Sequence, residues 1–180
     1  VYQFNEYFGD FELNVPGRHN ISNALACIAI AHYVGLAPGE IGRALQRFTG
    51  AQRRFQIVGQ VNGAIIVDDY AHHPTEIIAT IKAAKEGWDR RVIAVFQPHR
   101  YSRTKLMFQE FAEAFREADV VILTDIYAPP PEQPIPQISS ERLARRILEN
   151  GGPQEVHLVS NQDEVVPFLK EALGPEDLVL

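Results

Sequence analysis

Residues 64–76, which read Ala-Ile-Ile-Val-Asp-Asp-Tyr-Ala-His-His-Pro-Thr-Glu, decide the fold class of this 180-residue chain. They pass from an apolar run through polar residues to a proline, which is the pattern of a buried strand followed by a helix. Residues 92–103, Val-Ile-Ala-Val-Phe-Gln-Pro-His-Arg-Tyr-Ser-Arg, repeat that order. Because ligands bind outside the carboxyl ends of strands in open α/β sheets, we expect the polar residues of both stretches to crowd one edge of one sheet.

The remainder of residues 51–180 also alternates between apolar runs and helical patterns. The predicted strands are residues 55–61, 64–67, 92–96, 120–124, 156–159 and 178–180, and the predicted helices are residues 74–86, 102–117, 139–150 and 163–173. Asn62-Gly63, between the first two strands, is a strong hairpin signal. The alternation predicts a Rossmann-like α/β fold with a mainly parallel sheet and helices on both faces. The proline-rich residues 129–137 predict a stiff surface loop.

Residues 1–50 have a different pattern. Residues 1–15 carry β-favouring residues and a turn signal at Gly9-Asp10, which predicts a hairpin. Residues 20–34 and 38–48 predict two helices. The single cysteine, Cys27, excludes an internal disulfide, and its apolar neighbours predict a small core residue.

Composition narrows the class of protein. Hydrophobic residues make up 46% and charged residues 22% of the chain, as in ordinary soluble domains. The net charge of −6 argues against nucleic-acid binding, and no apolar run is long enough to span a bilayer. Val1 opens on a strand-like sequence and residues 178–180 close on an apolar run, so we expect a fragment of a longer protein.

Polar pairs after the two apolar runs are the first candidates for binding. Asp68 and Asp69 are either solvated turn carboxylates or groups that hold a ribose hydroxyl or lie near a metal. His72 and His73 stand at a helix entry, where the neutral imidazole is favoured, and one of the two is expected to bind a ligand.

Arginines and asparagines supply further candidates. Arg100 and Arg103 are either an exposed basic patch or a clamp for a carboxylate or phosphate, with Ser102 between them as a possible N-cap. Asn20 and Asn23 lie one helical turn apart, and spacing alone favours helix capping, together with His19, over contact with a base edge. Two further arginines, Arg53 and Arg54, are either surface charge at the domain boundary or part of a site. The chain contains no Walker-type phosphate loop.

Taken together, these motifs resemble the Mur ligase family. The resemblance rests on residues 17–26 (Gly-Arg-His-Asn-Ile-Ser-Asn-Ala-Leu-Ala), on Arg53-Arg54-Phe55, on residues 68–76 and on residues 96–103. It runs along essentially the whole chain. The first motif is shared across the family, and the last two are most similar to the member that adds L-alanine.

The resemblance implies a three-domain, cytoplasmic bacterial enzyme. Residues 1–50 would be the C-terminal part of the central ATP-binding domain, and residues 51–180 a Rossmann-like C-terminal ligase domain, truncated at its end. The implied reaction, part of peptidoglycan precursor synthesis, joins L-alanine to UDP-N-acetylmuramate through an acyl-phosphate intermediate, with ATP and Mg²⁺. The phosphate loop and most metal ligands would lie outside this chain, which implies that the chain alone is inactive.

The resemblance also implies roles for individual residues. Asn20 and Asn23 would contact adenine, and Arg54 and Asp69 the phosphates and ribose of ATP. The residues around the incoming L-alanine would be Tyr70, His72, His99, Arg100 and Arg103. It implies no catalytic or metal residue within the chain, and its partners would be small molecules rather than nucleic acid or membrane. Two alternatives remain, a murein-peptide recycling ligase of the same family and a nucleotide- or anion-binding α/β module without catalysis.

Overall fold

The computed structural model describes all 180 residues, Val1–Leu180. The elements are β1 (Tyr2–Gln3), β2 (Glu6–Tyr7), α1 (Arg18–Tyr33), α2 (Pro38–Arg47), β3 (Gln56–Val61), β4 (Ala64–Asp68), α3 (Pro74–Gly87), β5 (Arg91–Phe96), α4 (Tyr101–Leu106), α5 (Phe108–Ala114), β6 (Val120–Leu123), α6 (Ser140–Glu149), β7 (Glu155–Leu158), α7 (Gln162–Ala172) and β8 (Asp177–Val179). None of the helices has the length and apolar character that crossing a membrane requires.

Six strands form one sheet, in the order β3-β4-β8-β5-β6-β7. Only β3 and β4 pair antiparallel, whereas every other neighbouring pair is parallel. The carboxyl ends of β4, β5 and β6 therefore meet at one edge of the sheet. The predicted fold class is confirmed, and so is the prediction that the antiparallel pair is confined to the hairpin.

Alternation along the strands explains why helices cover both faces. In β5, Val92 and Ala94 join a cluster of 21 buried residues that includes side chains of α3, α5 and α6. Ile93, between them, faces a smaller cluster of 6 buried residues to which α7 contributes Val165. Because successive strand residues point to opposite faces, each face of the sheet needs its own helical layer.

The two hairpins differ in how well their turns could be predicted. Asn62 and Gly63 both have positive φ, 51° and 89°, as a tight two-residue hairpin turn requires. A Cβ at Gly63 would lie 2.8 Å from the side chain of Pro175, so close approach also requires glycine. In the N-terminal hairpin the predicted Gly9-Asp10 turn is wrong. The chain reverses at Phe4 and Asn5, with φ of 47° and 68°.

The single helix predicted over residues 102–117 is divided in two. Met107 leaves helical geometry, with φ −118° and ψ 33°, between α4 and α5. Leu106, which sequence periodicity places on the apolar face, is 81% exposed. The break turns α5 so that Phe111 packs in the core against Phe96, with ring centroids 5.6 Å apart. The predicted loop at residues 129–137 is confirmed, since it contains neither helix nor strand.

Candidate functional site

Asp69 fixes the loop that follows β4. Its Oδ2 accepts a hydrogen bond from the backbone N–H of Phe55, and its Oδ1 accepts one from the N–H of Ala71, each at 2.7 Å. These bonds tie the start of β3 to the end of β4. Each carboxylate oxygen has a second lone pair, so Asp69 keeps acceptor capacity toward the cleft that it lines. Asp68, by contrast, forms an exposed ion pair with Arg53 at 3.3 Å.

The segment that leads into β3 is bound to the same loop. The Arg53 guanidinium lies 4.9 Å from the centroid of the Tyr70 ring, and the N–H of Tyr70 donates to the carbonyl of Arg53 at 2.8 Å. The next side chain, Arg54, lines the cleft, and its Nη1 is 3.5 Å from Glu76. Of the two arginines, Arg53 therefore stabilises the loop after β4, whereas the side chain of Arg54 faces the cleft, where a ligand can contact it.

Glu76, at the third position of α3, organises the loop from the other side. Its Oε2 accepts hydrogen bonds from the backbone N–H groups of His72 and His73, at 3.0 and 3.2 Å. Burial acts to raise the pKa of Glu76. The two N–H donors, the His72 imidazole and the Arg54 guanidinium outweigh burial and hold that pKa below its usual range. A single carboxylate thus contacts side chains on both the Arg54 side and the His72 side of the loop.

The adjacent histidines have different roles. His73 is the N-cap of α3, and its Nδ1 lies 2.9 Å from the Thr75 hydroxyl. The Nδ1 of His72 lies 2.9 Å from the carbonyl oxygen of Tyr70, so this nitrogen carries the proton that is donated. His73 thus uses Nδ1 at the helix terminus and His72 uses Nδ1 on the Tyr70 carbonyl, and each ring keeps Nε2 for other contacts.

A cleft of about 810 Å³ lies where the two N-terminal helices meet the sheet domain. Its 23 lining residues come from the segment before α1, from α1, α2 and the linker, from the loop after β4 and from α3. All four residues that the resemblance relates to ATP line it, namely Asn20, Asn23, Arg54 and Asp69. This volume is within the range of ordinary small-molecule sites.

The predicted capping role of the α1 asparagines is wrong. The N-cap of α1 is Gly17, and no side chain makes a capping hydrogen bond there. The amide of Asn20 instead donates to the carbonyl of Pro16 at 2.7 Å, and Asn23 donates to Asn20 at 3.3 Å. The prediction that Cys27 is a core residue is also wrong. Its side chain is exposed and lines the same cleft. One face of α1, which carries Asn20, Asn23 and Cys27, thus lies toward the cleft.

The loop after β5 forms the second part of the site. His99 and Tyr127 form an isolated bridge, and the N–H of Arg100 donates to the carbonyl of Tyr127 at 2.7 Å. This contact joins the end of β5 to the segment after β6. The prediction of Ser102 as an N-cap is wrong, because α4 begins at Tyr101. Arg100 occupies the cap position, and its side chain makes no capping hydrogen bond.

Arg100 has a strained backbone and an unpaired side chain. Its φ of 76° lies in the region that favours glycine. Its carbonyl accepts hydrogen bonds from both the N–H and the hydroxyl of the buried Thr104, which holds the residue in place. Neither Arg100 nor Arg103 forms an ion pair with a carboxylate, in contrast to Arg53 and Arg54 beside the loop after β4. Both guanidinium groups are therefore free to bind an anion.

Electrostatics link this loop to the loop after β4. Burial lowers the pKa of His99, and the charges of Arg103, Arg100 and His72 lower it further, while Glu132 acts in the opposite direction. His99 is therefore neutral at neutral pH. The influence of His72 on His99 shows that the two predicted motifs lie at one edge of the sheet, as the strand topology requires.

Two carboxylates of the site were missed by sequence reasoning. Glu76 carries a recognisable signal, since it stands three residues after the N-cap His73 as in a capping box. Glu132 carries no such sequence signal, because it lies in the proline-rich loop. Its Oε1 accepts a hydrogen bond at 2.8 Å from the N–H of Ser102, which is thirty residues away in sequence. The chain contains no group of three or more His, Cys, Asp or Glu side chains that could hold a metal ion.

Comparison with known proteins gives a consistent assignment. A UDP-N-acetylmuramate–L-alanine ligase of Geotalea daltonii is 49% identical over 172 residues, which are 96% of this chain and 37% of that protein. The crystal structure of the Thermotoga maritima UDP-N-acetylmuramate–alanine ligase superposes with a TM-score of 0.77 at 28% identity, covering 98% of this chain and 37% of that one. A murein peptide ligase from Psychrobacter arcticus gives a TM-score of 0.62 at 26% identity over the same shares.

The chain thus spans little more than a third of the length of these relatives. The sequence profile described as "Mur ligase, glutamate ligase domain" matches residues 53–180, which is well over half of the chain. The mainly parallel sheet lies within that match, whereas most of the residues that line the cleft precede it. On this basis the chain belongs to the Mur ligase family.

Proposed function

We propose that this chain is part of a UDP-N-acetylmuramate–L-alanine ligase and supplies its amino-acid site and part of its nucleotide site. Residues 1–50 are then the end of the central ATP-binding domain, and residues 51–180 belong to the C-terminal ligase domain. The observation that carries the proposal is that the four ATP-related residues line one cleft, while the loop after β5 carries Arg100 and Arg103, which form no ion pair with a carboxylate. The similarity to alanine ligases over 96% of the chain supports it.

The cleft suits a nucleotide because its lining combines 13 hydrophobic residues with polar and charged ones. Asn20 and Asn23 present amides, which can donate to and accept from a base edge. Arg54 presents a positive charge for phosphate oxygens, and Asp69 presents acceptor oxygens for ribose hydroxyls. ATP supplies the energy for amide bond formation by activating the muramate carboxylate as an acyl phosphate.

The loop after β5 suits a small amino acid. Arg100 and Arg103 bind its carboxylate, for which the guanidinium fork is matched. The side chains of Tyr70, His72 and His99 complete the surroundings. Holding the amino acid in one orientation favours attack of its neutral amine on the activated carboxyl carbon. Mg²⁺ would neutralise phosphoryl charge, but the chain has no donor set that fits it, so no step of this chain depends on the metal.

The test is substrate dependence of phosphate release by the full-length protein that contains this chain. We expect release only when ATP, UDP-N-acetylmuramate and L-alanine are all present. Turnover with a murein peptide in place of L-alanine would support the recycling ligase instead. Nucleotide binding without turnover would support the non-catalytic module. The proposed substrates place the reaction in the bacterial cytoplasm.

A further inference from the structure

The proline-rich loop brings a carboxylate to the arginine pair. The loop is anchored where the N–H of Tyr127 donates to the carbonyl of Pro98 at 2.9 Å. A turn follows, in which the N–H of Glu132 donates to the carbonyl of Pro129 at 3.2 Å. The Oε1 of Glu132 then accepts a hydrogen bond from the N–H of Ser102 at 2.8 Å. The loop thus fixes Glu132 beside a residue that lies between Arg100 and Arg103.

Two polar atoms in this region lack a partner. The Oε2 of Glu132 and the Nδ1 of His99 are both shielded from solvent, and neither makes a hydrogen bond. Buried polar atoms in folded proteins are nearly always paired, so each such exception points to a missing group. A carboxylate oxygen can only accept, which means that the group missing at Glu132 is a donor.

Charge identifies the kind of donor. The charges of Arg100 and Arg103 both act on His99, and Glu132 is the negative group that opposes them there. An amino acid is a zwitterion, so a site with arginines alone would bind its carboxylate but repel its ammonium group. Hydrogen bonds from Ser102 hold the pKa of Glu132 below its usual range, and the carboxylate is therefore charged at neutral pH.

We propose that Glu132 binds the α-ammonium group of the incoming amino acid, which releases one proton to solvent before its neutral amine attacks, while Arg100 and Arg103 bind the carboxylate. The inference rests on the proposed function and adds a receptor for the second charged group of the substrate. It also gives the proline-rich loop a role, since that loop holds Glu132 beside Ser102, between the two arginines. The hydrogen bond from Ser102 keeps the other oxygen in place.

The first measurement is the Michaelis constant for L-alanine in full-length Glu132→Gln, at neutral pH. The amide keeps an oxygen that can accept from Ser102 but loses the charge. We expect the constant for L-alanine to rise about tenfold or more, with the constant for ATP unchanged. Glu117→Gln is the matched control, because Glu117 is exposed and outside the site. Glu132→Asp, which keeps the charge, should lose less, and thermal melting checks that each variant folds.

A double-mutant cycle with Arg100→Lys separates direct binding from an effect through the arginine. If Glu132 and Arg100 hold opposite ends of the substrate, the two losses multiply. The proposal is overturned if Glu132→Gln has no further effect in the Arg100→Lys background. It is also overturned if Glu132→Gln leaves the constant for L-alanine unchanged or lowers it, because a competing carboxylate would do the latter. Failure of the proposed function looks different, since the unmodified enzyme would then release no phosphate in response to L-alanine.

Discussion

Among single residues, Arg100 combines a strained backbone with an unpaired charged side chain. A non-glycine residue with φ of 76° costs on the order of 1–3 kcal/mol. Two hydrogen bonds from Thr104 and one to Tyr127 maintain the conformation. Backbone strain of this size beside a candidate site indicates that the Arg100 side chain is needed for binding rather than for folding.

Replacement of Arg100 by glycine should therefore stabilise the protein. We expect the free energy of unfolding of Arg100→Gly to rise by about 1 kcal/mol, because glycine adopts positive φ without strain. Arg103→Gly is the matched control, and within α4 the same substitution should lower stability by about 1 kcal/mol. Denaturant titration of both variants checks this. A loss of stability in Arg100→Gly would show that its side chain has a structural role.

A second prediction concerns the two charged residues of the cleft. Arg54→Ala should raise the Michaelis constant for ATP in the full-length enzyme with little change in stability, because the side chain is 54% exposed. Asp69→Ala should affect ATP similarly but also destabilise the fold by about 2 kcal/mol, since two backbone N–H groups lose their acceptor. Kinetics and denaturant titration together test this. Equal stability losses for both variants would contradict it.

At the scale of elements, the N-terminus of α3 illustrates what the sequence could predict. The strand, the helix start at Pro74 and the hairpin at Asn62-Gly63 follow from neighbouring residues, and all are confirmed. The sequence could not show that Glu132 accepts from Ser102, because this contact depends on how β5 and β6 align in the sheet. Nor could it show that α4 and α5 separate at Met107, which depends on aromatic packing in the core.

Titratable residues in these elements should make the free energy of unfolding depend on pH in two separate ranges. The fold favours neutral His99, so stability is lost as the pH falls from the ordinary value of 6.5 toward the lowered pKa. Glu76 has a lowered pKa and is favoured as the anion, so its contribution is complete above 4.5 and is lost as the pH falls through the lowered pKa. Glu132 titrates in the same lower range.

Denaturant titrations at about pH 7, 5.5 and 3.5 measure both effects. His99→Gln should reduce the change in the free energy of unfolding between about pH 7 and 5.5 and leave the change at lower pH as it is. Glu76→Gln should reduce the slope of the lower range without abolishing it, because Glu132 remains. If His99→Gln changes only the lower range, the environment assigned to His99 is wrong.

At the scale of the whole molecule, the cleft depends on both parts of the chain. One wall comes from α1 and α2, and the other from the linker and α3. The unpaired arginines lie on the sheet domain alone. The residues proposed to bind the nucleotide are therefore divided between the two parts of the chain, whereas the arginines proposed to bind the amino acid are not.

The isolated 180-residue chain should not turn over ATP. It contains no Walker-type phosphate loop and no metal-binding cluster, and Arg54 alone is not expected to position the γ-phosphate for transfer. We expect no phosphate release above background in the presence of L-alanine and UDP-N-acetylmuramate. Catalytic-scale release by the purified chain, free of contaminating ATPase, would refute the assignment of its domains.

The position of β8 has a consequence for biosynthesis. This strand is the last of the sheet to be translated, yet it lies between β4 and β5 and separates them. On the ribosome, the β3–β4 hairpin and the β5–β6–β7 unit can each form early, but they share no strand pairing until residues 177–179 have left the exit tunnel. The edge of β4 and the edge of β5 stay open during that interval, and unpaired edges invite association with other nascent chains. A ribosome that stalls just before Asp177 would therefore leave a chain in which α1–α7 are complete but two sheet edges are exposed.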